Sequence, residues 1–265
     1  MGEQLRFMAL KIENRMRVFV LCCVFLGTFG HSLAQASFVD FQKTNVRVAN
    51  AFKLKEDTLA RQFKKEGLSW PPRQLYIRSF KYDSQLEVWA RNNSNEPFKL
   101  IKTYKICALS GGLGPKRIEG DYQVPEGFYY INLFNPKSTY YLSLGLNYPN
   151  VSDQLLSDSF KPGSDIFIHG TCVTVGCIPI MDNQIDELYL LASYAKSDGE
   201  DFIPVHIYPV RFNNPKSAAF LDKVTKDDKA YASFTESLEK VYHYFEKHKT
   251  LPVITVNEKG KYVMY

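Results

Sequence analysis

Between Leu75 and Arg211 the apolar residues recur largely with a period of two, and that alternation constrains the fold more than any other property of the chain. LYIRSF, LEVWAR and KLIKTYKICAL alternate or run apolar as strands, and the polar RNNSNEP between the last two reads as a hairpin turn. FIPVHIYPV is a further strand, with Ile203, Val205 and Ile207 on one face and His206 on the other. A Gly/Pro-rich stretch over 110–131 reads as a long loop between strands, and aromatic residues crowd the segment after it. Helical spacing appears in three stretches. Residues 45–66 repeat Val48, Phe52, Leu59 and Phe63 and stop at Gly67. Residues 183–196 carry a stripe of Ile185, Leu188, Tyr189 and Ala192, with Asp182 as the expected N-cap. Residues 229–247 form a third helix before short strands around 253–256 and 262–264. The expected class is α+β, mainly β, with helices flanking the core.

The first 36 residues read as an export signal. Arg17, an apolar run over 18–29 and the small-x-small triplet Ala34, Gln35, Ala36 form a basic start, an apolar stretch and a cleavage site. Residues 1–15 read as an over-long start. The apolar run is shorter than the roughly 20 residues of a membrane span, so no stable span is expected after cleavage. Cleavage after Ala36 leaves 229 of the 265 residues, and removing four basic and two acidic residues lowers the net charge from +5 to +3. That balance, without a dense Lys/Arg patch, gives no sign of a nucleic-acid partner. The expected division is an N-terminal helical extension over 37–72, a catalytic core over 73–212, and a C-terminal helix with short strands over 213–265. The expected location is outside the cytoplasm, in the periplasm or cell envelope.

The mature chain keeps Cys107, Cys172 and Cys177, and an odd count in an oxidising compartment leaves at least one thiol free. Cys107, in the apolar run YKICAL, reads as a core residue. SDIFIHGTCVTVGCIPI, residues 164–180, runs an alternating strand into His169 and then presents Cys177 behind Gly176. A thiol attacks as the thiolate, and a nearby imidazole is the usual base for it. Gly176 clears space for an acyl group, and the amides of Gly176 and Cys177 would hold an oxyanion. Three other readings stay open here: zinc held by His169, Cys172 and Cys177 with His206 closing the site, a Cys172–Cys177 disulfide, or a purely structural role.

The IHG string followed by a Gly-Cys pair resembles the L,D-transpeptidase catalytic domain, the YkuD family, in its YafK-like branch. IRSFK, LEVWAR, GPKRIEGDYQVPEGFYYI, YLSLGLNYPN, IHGTCVTVGC and IPVHIYPV extend that resemblance over residues 75–211. It implies a β-sandwich core, no cofactor and no metal, and peptidoglycan stem peptides as substrate. It also implies Cys177 as nucleophile, His169 as base and then acid, the Gly170 carbonyl as the group orienting the ring, and an oxyanion hole at Gly176 and Cys177. Tyr148, Thr171 and His206 are candidate groove residues; Gly114, Pro115, Gly120 and Asp121 fall in matching segments. The chain departs from most of the family in the short loop from His169 to Cys177, in Val175 where a further histidine usually stands, and in Pro179 where an arginine is usual. The YafK-like branch implies hydrolysis of an L,D-linkage, including one that tethers a protein to the wall, as readily as cross-linking, and a wall-binding module without activity is the alternative from another class.

Overall fold

The structure, a computed structural model, describes residues 36–265; the export signal expected over 1–36 lies outside the described residues apart from Ala36. Eight strands form one mixed sheet in the order β3-β2-β1-β8-β4-β5-β6-β7. They are β1 (Gln74–Phe80), β2 (Gln85–Arg91), β3 (Lys99–Lys105), β4 (Gly127–Asn135), β5 (Ser143–Leu146), β6 (Phe167–His169), β7 (Ile178–Pro179) and β8 (Pro204–Tyr208). β4 belongs to two halves of the sheet. Its first residues pair with β8 and its last with β5, with the register shifting between Ile131 and Leu133. A bulge of that kind bends and twists a strand. The far edges then approach each other, and a bridge between Ile106 and Ile180 joins the end of β3 to β7. One sheet curling on itself therefore makes the sandwich.

Among the described residues six helices pack round it: α1 (Phe38–Lys43), α2 (Val46–Lys65), α3 (Val151–Leu156), α4 (Asp182–Ser197), α5 (Pro215–Thr225) and α6 (Lys229–His248). α2 follows the expected boundaries, capped by the Asn45 side chain, which accepts from the Arg47 amide at 2.9 Å. Its Val48, Phe52, Leu59 and Phe63 are buried against the same core as α4 and the inward strand residues Leu75, Ile77, Val205 and Ile207. Each such side chain contributes about 2 kcal/mol by leaving water. α4 begins one residue earlier than expected, because Asp182 is its first residue; the cap position is Met181, which makes no side-chain cap bond. α1, α3 and α5 were not anticipated. Asn214 followed by Pro215 is a legible start for α5, with the Asn214 side chain accepting from the Lys216 amide at 3.0 Å.

α6 covers the opposite face of the sheet, where its Leu238, Tyr242 and Phe245 meet Phe80, Tyr208, Tyr76 and Trp89. Arg78 is 2 % exposed in this layer. Its Nε donates to Glu87 at 2.5 Å and its Nη2 to Glu246 on α6 at 2.6 Å. Arg211 also reaches Glu87, at 2.6 Å. Removing one partner of a buried pair strands the other. Arg78→Met should therefore lower the urea-unfolding free energy by about 3 kcal/mol, the low end of the usual loss because Arg211 remains on Glu87; an unchanged midpoint would show that the pair contributes nothing. β9 (Ile254–Val256) and β10 (Tyr262–Met264) form a separate two-stranded ribbon.

Candidate active site

β6 lies between β5 and β7, with His169 opposite Ser143 on one side and Pro179 on the other. The parallel register sets Ile168 beside Ile178, and both point into the core. Continuing that alternation sets His169, at the end of β6, and Cys177, immediately before β7, on the side away from that pair. The short loop over 170–176 is what allows this, since it returns the chain directly to the strand edge. The two sequence-predicted residues thus stand on adjacent segments, and each bonds elsewhere, His169 to the Gly170 carbonyl and Cys177 to the Asp165 carbonyl.

His169 is 1 % exposed, and the ring of Tyr140 lies over it at 4.8 Å between centroids and a 31° tilt. Its Nδ1–H donates to the Gly170 carbonyl, which leaves Nε2 with the free lone pair. Burial pushes the imidazole below its ordinary value, with the Gly170 carbonyl opposing. The Cys177 thiol is half-buried and donates to the Asp165 carbonyl at 3.5 Å. Burial raises its pKa above 9.0; the Phe167 backbone opposes that shift, Asp165 adds to it, and Lys116 opposes it. Both shifts favour neutral groups. At rest the two groups are therefore thiol and imidazole.

Two glycines are dictated by the local geometry. A Cβ on Gly170 would stand 2.6 Å from Asp182 Oδ1 and 3.1 Å from the Tyr140 carbonyl. Asp182 uses that approach to accept the Thr171 amide at 2.7 Å, which holds the turn after His169. Gly176 has φ +140°, and a Cβ there would meet the Gln123 carbonyl at 3.0 Å. Thr174 staples the rest of the loop: its Oγ1 accepts from the Gly176 amide at 3.0 Å and donates to the Cys177 carbonyl at 2.8 Å. That bond corrects one expectation. With its amide engaged by Thr174, Gly176 is not a free oxyanion donor here, and the Cys177 amide is the remaining candidate.

Cys172 forms a disulfide with Cys107, and Cys177 is the free cysteine among the described residues. Cys107 is accordingly not a lone core thiol, and the Cys172–Cys177 pairing does not form, because Ile106 bridges Ile180 and sets Cys107 beside the active-site loop. The zinc grouping is not assembled either. Cys172 is spent in the disulfide, and no cluster of three or more metal-binding side chains occurs among the described residues. A disulfide closing 65 residues restricts the unfolded chain by about 4 kcal/mol in the loop-entropy account. Replacing both Cys107 and Cys172 with serine should lower thermal stability by about 2–4 kcal/mol while leaving the Cys177 thiol titratable with a maleimide; equal melting of the two forms would refute this.

Two groove candidates lie elsewhere. His206 is 4 % exposed on the face covered by α6, where its Nδ1 meets the Tyr76 hydroxyl at 3.0 Å and the Tyr208 hydroxyl at 3.2 Å. Burial, aided by Arg78, pushes it down to about 3, so it is a neutral core histidine. Tyr148 is 6 % exposed and donates to the Pro162 carbonyl at 2.8 Å; it anchors a loop and does not line a groove. Thr171, two residues after His169, is exposed with φ 55°. Sequence reasoning missed Tyr140 over the imidazole and Thr174 in the loop, and read Asp182 only as a helix cap. A cavity of about 930 Å³ between α6, β10 and the loop bearing Arg117 is lined by neither His169 nor Cys177, so volume does not mark the chemistry here.

The L,D-transpeptidase catalytic domain family, YkuD, matches residues 81–207, which hold both His169 and Cys177. YafK of Escherichia coli strain K12 is 32% identical over 208 residues, 78% of this chain and 78% of YafK. Among solved structures, the helical cell shape determining protein Pgp2 from Campylobacter jejuni is similar with a TM-score of 0.41 at 19% identity, over 72% of this chain and 75% of that one. Bd1075 of Bdellovibrio bacteriovorus gives 0.38 at 22% identity, over 67% and 64%. On the family match and the extent of the YafK similarity, this chain belongs to the L,D-transpeptidase catalytic domain (YkuD) family.

Proposed function

We propose that the protein is an exported cysteine acyltransferase acting on peptidoglycan stem peptides. The observation that carries this reading is a free thiol, Cys177, immediately before β7, the strand paired with the one that ends at His169, whose tautomer is set by the Gly170 carbonyl. In the proposed reaction Cys177 Sγ attacks the carbonyl of a peptide bond between an L-centre and a D-residue, and His169 Nε2 takes the thiol proton. The Cys177 amide donates to the oxyanion. Collapse breaks the C–N bond, His169 returns the proton to the leaving amine, and the acyl group remains as a thioester. An acceptor amine or water then attacks the thioester, giving its proton to His169, and the thiol is restored with that proton. No step calls on a cofactor.

The Cys107–Cys172 disulfide supports a location in an oxidising compartment, the periplasm or envelope. No helix among the described residues is long and apolar enough to cross a membrane. Hydrolysis of an L,D-linkage, including one that ties a protein to the wall, is the second reading. It is favoured by the short loop between His169 and Cys177, the feature that aligns the chain with the YafK-like branch. Incubating the mature protein with muropeptides and following products by mass spectrometry tests both. Loss of the terminal D-residue with a new cross-link supports transfer, and release of an attached peptide or protein without one supports hydrolysis. Unchanged muropeptides, with no mass added to Cys177, would overturn both.

A further inference from the structure

The reaction above makes no use of the cavity of about 930 Å³ between α6, β10 and the loop bearing Arg117. Leu113 from that loop, Leu156 at the end of α3, Val224 on α5 and Phe234 on α6 converge as its apolar wall. Arg117 stands in the same wall, its guanidinium 5.5 Å from the centre of the Phe234 ring. Its Nη1 donates to Asp153 at 3.1 Å, and Asp153 is 1 % exposed. A guanidinium carries five N–H donors in a fixed fork, so one bond to a buried carboxylate orients Arg117 and leaves donors for a second acceptor.

A trough continues from this cavity along α6. The next hollow, of about 490 Å³, is bounded by His243, Lys247 and Met264 and shares Glu236 and Lys240 with the first. Lys229, Lys240 and Lys247 follow one another at spacings of eleven and seven residues. At about 100° per residue they project within about 20° of one line, roughly 16 Å and 10 Å apart along the axis. All three are exposed, and Lys261 lines the first hollow from the ribbon side, its Nζ donating to Ser233 at 3.4 Å. None of these four lysines is ion-paired among the described residues. The carboxylates of the trough are Asp228, which accepts the Tyr231 amide at 2.8 Å to cap α6, Glu236, and Glu239, 3.3 Å from His243. With Arg117, the cations outnumber them five to three.

We propose that this trough binds an extended acidic segment of a partner protein. One bulky apolar side chain seats among Leu113, Leu156 and Phe234, one carboxylate meets Arg117, and others meet the lysine line. The binding goes beyond the acyl-transfer reading and does not depend on it. From Lys229 to Lys247 the helix covers about 27 Å, which an extended chain crosses in about eight residues. Lysines this far apart act on separate carboxylates and cannot close on a single anion. The walls favour a side chain over a sugar, because Tyr231 and Tyr262 are each 8 % exposed and offer no open ring face for a pyranose.

Fluorescence anisotropy with the mature protein tests this, using a labelled peptide of about eight residues, glutamates around one leucine. The controls are the same chain with glutamines for the glutamates, and with serine for the leucine. Each control should bind about 10-fold or more weakly. Lys240→Gln with Lys247→Gln, two exposed side chains outside every described hydrogen bond, should weaken the acidic probe about 5-fold and leave the melting temperature unchanged. Phe234→Ala should remove the preference for leucine over serine. Lys53→Gln with Lys64→Gln, an equal loss of charge on the exposed side of α2, should bind as the wild type does. Equal weakening by the two lysine pairs would reduce the effect to net charge and overturn the assignment. So would a hyaluronan oligosaccharide bound as tightly as the peptide, or no binding of the peptide at about 1 mM. A probe that binds but ignores both Lys240 with Lys247 and Phe234 would place it elsewhere on the protein. Binding is read without turnover, so failure here leaves the acyl-transfer reading untouched.

Discussion

Cys177→Ala should abolish acyl transfer, lowering turnover on muropeptides by about 10⁴-fold or more, as loss of a covalent nucleophile does elsewhere. The acyl adduct seen by intact mass on the wild type should vanish with it. Cys172, five residues earlier, should not rescue the variant, because its sulfur is joined to Cys107. Cys172→Ser should therefore keep the adduct on Cys177. The decisive comparison is adduct mass on both variants under non-reducing conditions. An adduct on Cys177→Ala, or its loss in Cys172→Ser alone, would move the nucleophile to the wrong sulfur and end the mechanism proposed here.

His169→Ala should cost about 10²–10⁴-fold in turnover, the range of a lost general base. A pH signature separates this role from a pre-formed ion pair. Cys177 titrates above its ordinary 9.0, and His169 below its ordinary 6.5. Between those limits the thiol is protonated and the imidazole is neutral, the form in which His169 can accept a proton. As pH rises through the depressed value of His169, below 6.5, kcat/KM should increase and then level. Alkylation of the resting enzyme by iodoacetamide should instead keep climbing past pH 9, because it reports the thiolate alone. In His169→Ala that alkylation curve should barely move while turnover collapses. A plateau of alkylation near neutral pH in the wild type, lost in His169→Ala, would show that the thiolate–imidazolium pair exists at rest.

Tyr140 gives the shielding of His169 a structural cause. Its ring lies tilted over the imidazole, and its own surface is 42 % exposed. Water is thereby kept from His169 while the Cys177 side remains partly open. The loop that joins the two residues is held at three points: the Thr171 amide on Asp182, the Thr174 hydroxyl on Gly176 and Cys177, and the disulfide at Cys172. A loop pinned this closely positions its groups before substrate arrives, which reduces the entropic cost of reaching the reactive geometry.

Strand alternation, the α2 and α6 spacings and the IHG and Gly-Cys strings were legible because each depends on neighbours a few residues away. The same locality explains His169 and Cys177, since one short loop brings both to the end of β6 and the start of β7. Alternation also separated His206 from Val205 and Ile207. It did not say which face carried the chemistry, and only the docking of α6 over that side made His206 a core residue among Tyr76, Phe128 and Tyr208. Cys107 found Cys172 across 65 residues because the curled sheet brings Ile106 to Ile180. The local pattern of residues determined the strands, the principal helices and the placing of His169 and Cys177 on adjacent segments. Tertiary structure decided the disulfide partner and the face each histidine serves, because these depend on sheet closure and helix docking between residues far apart in the chain.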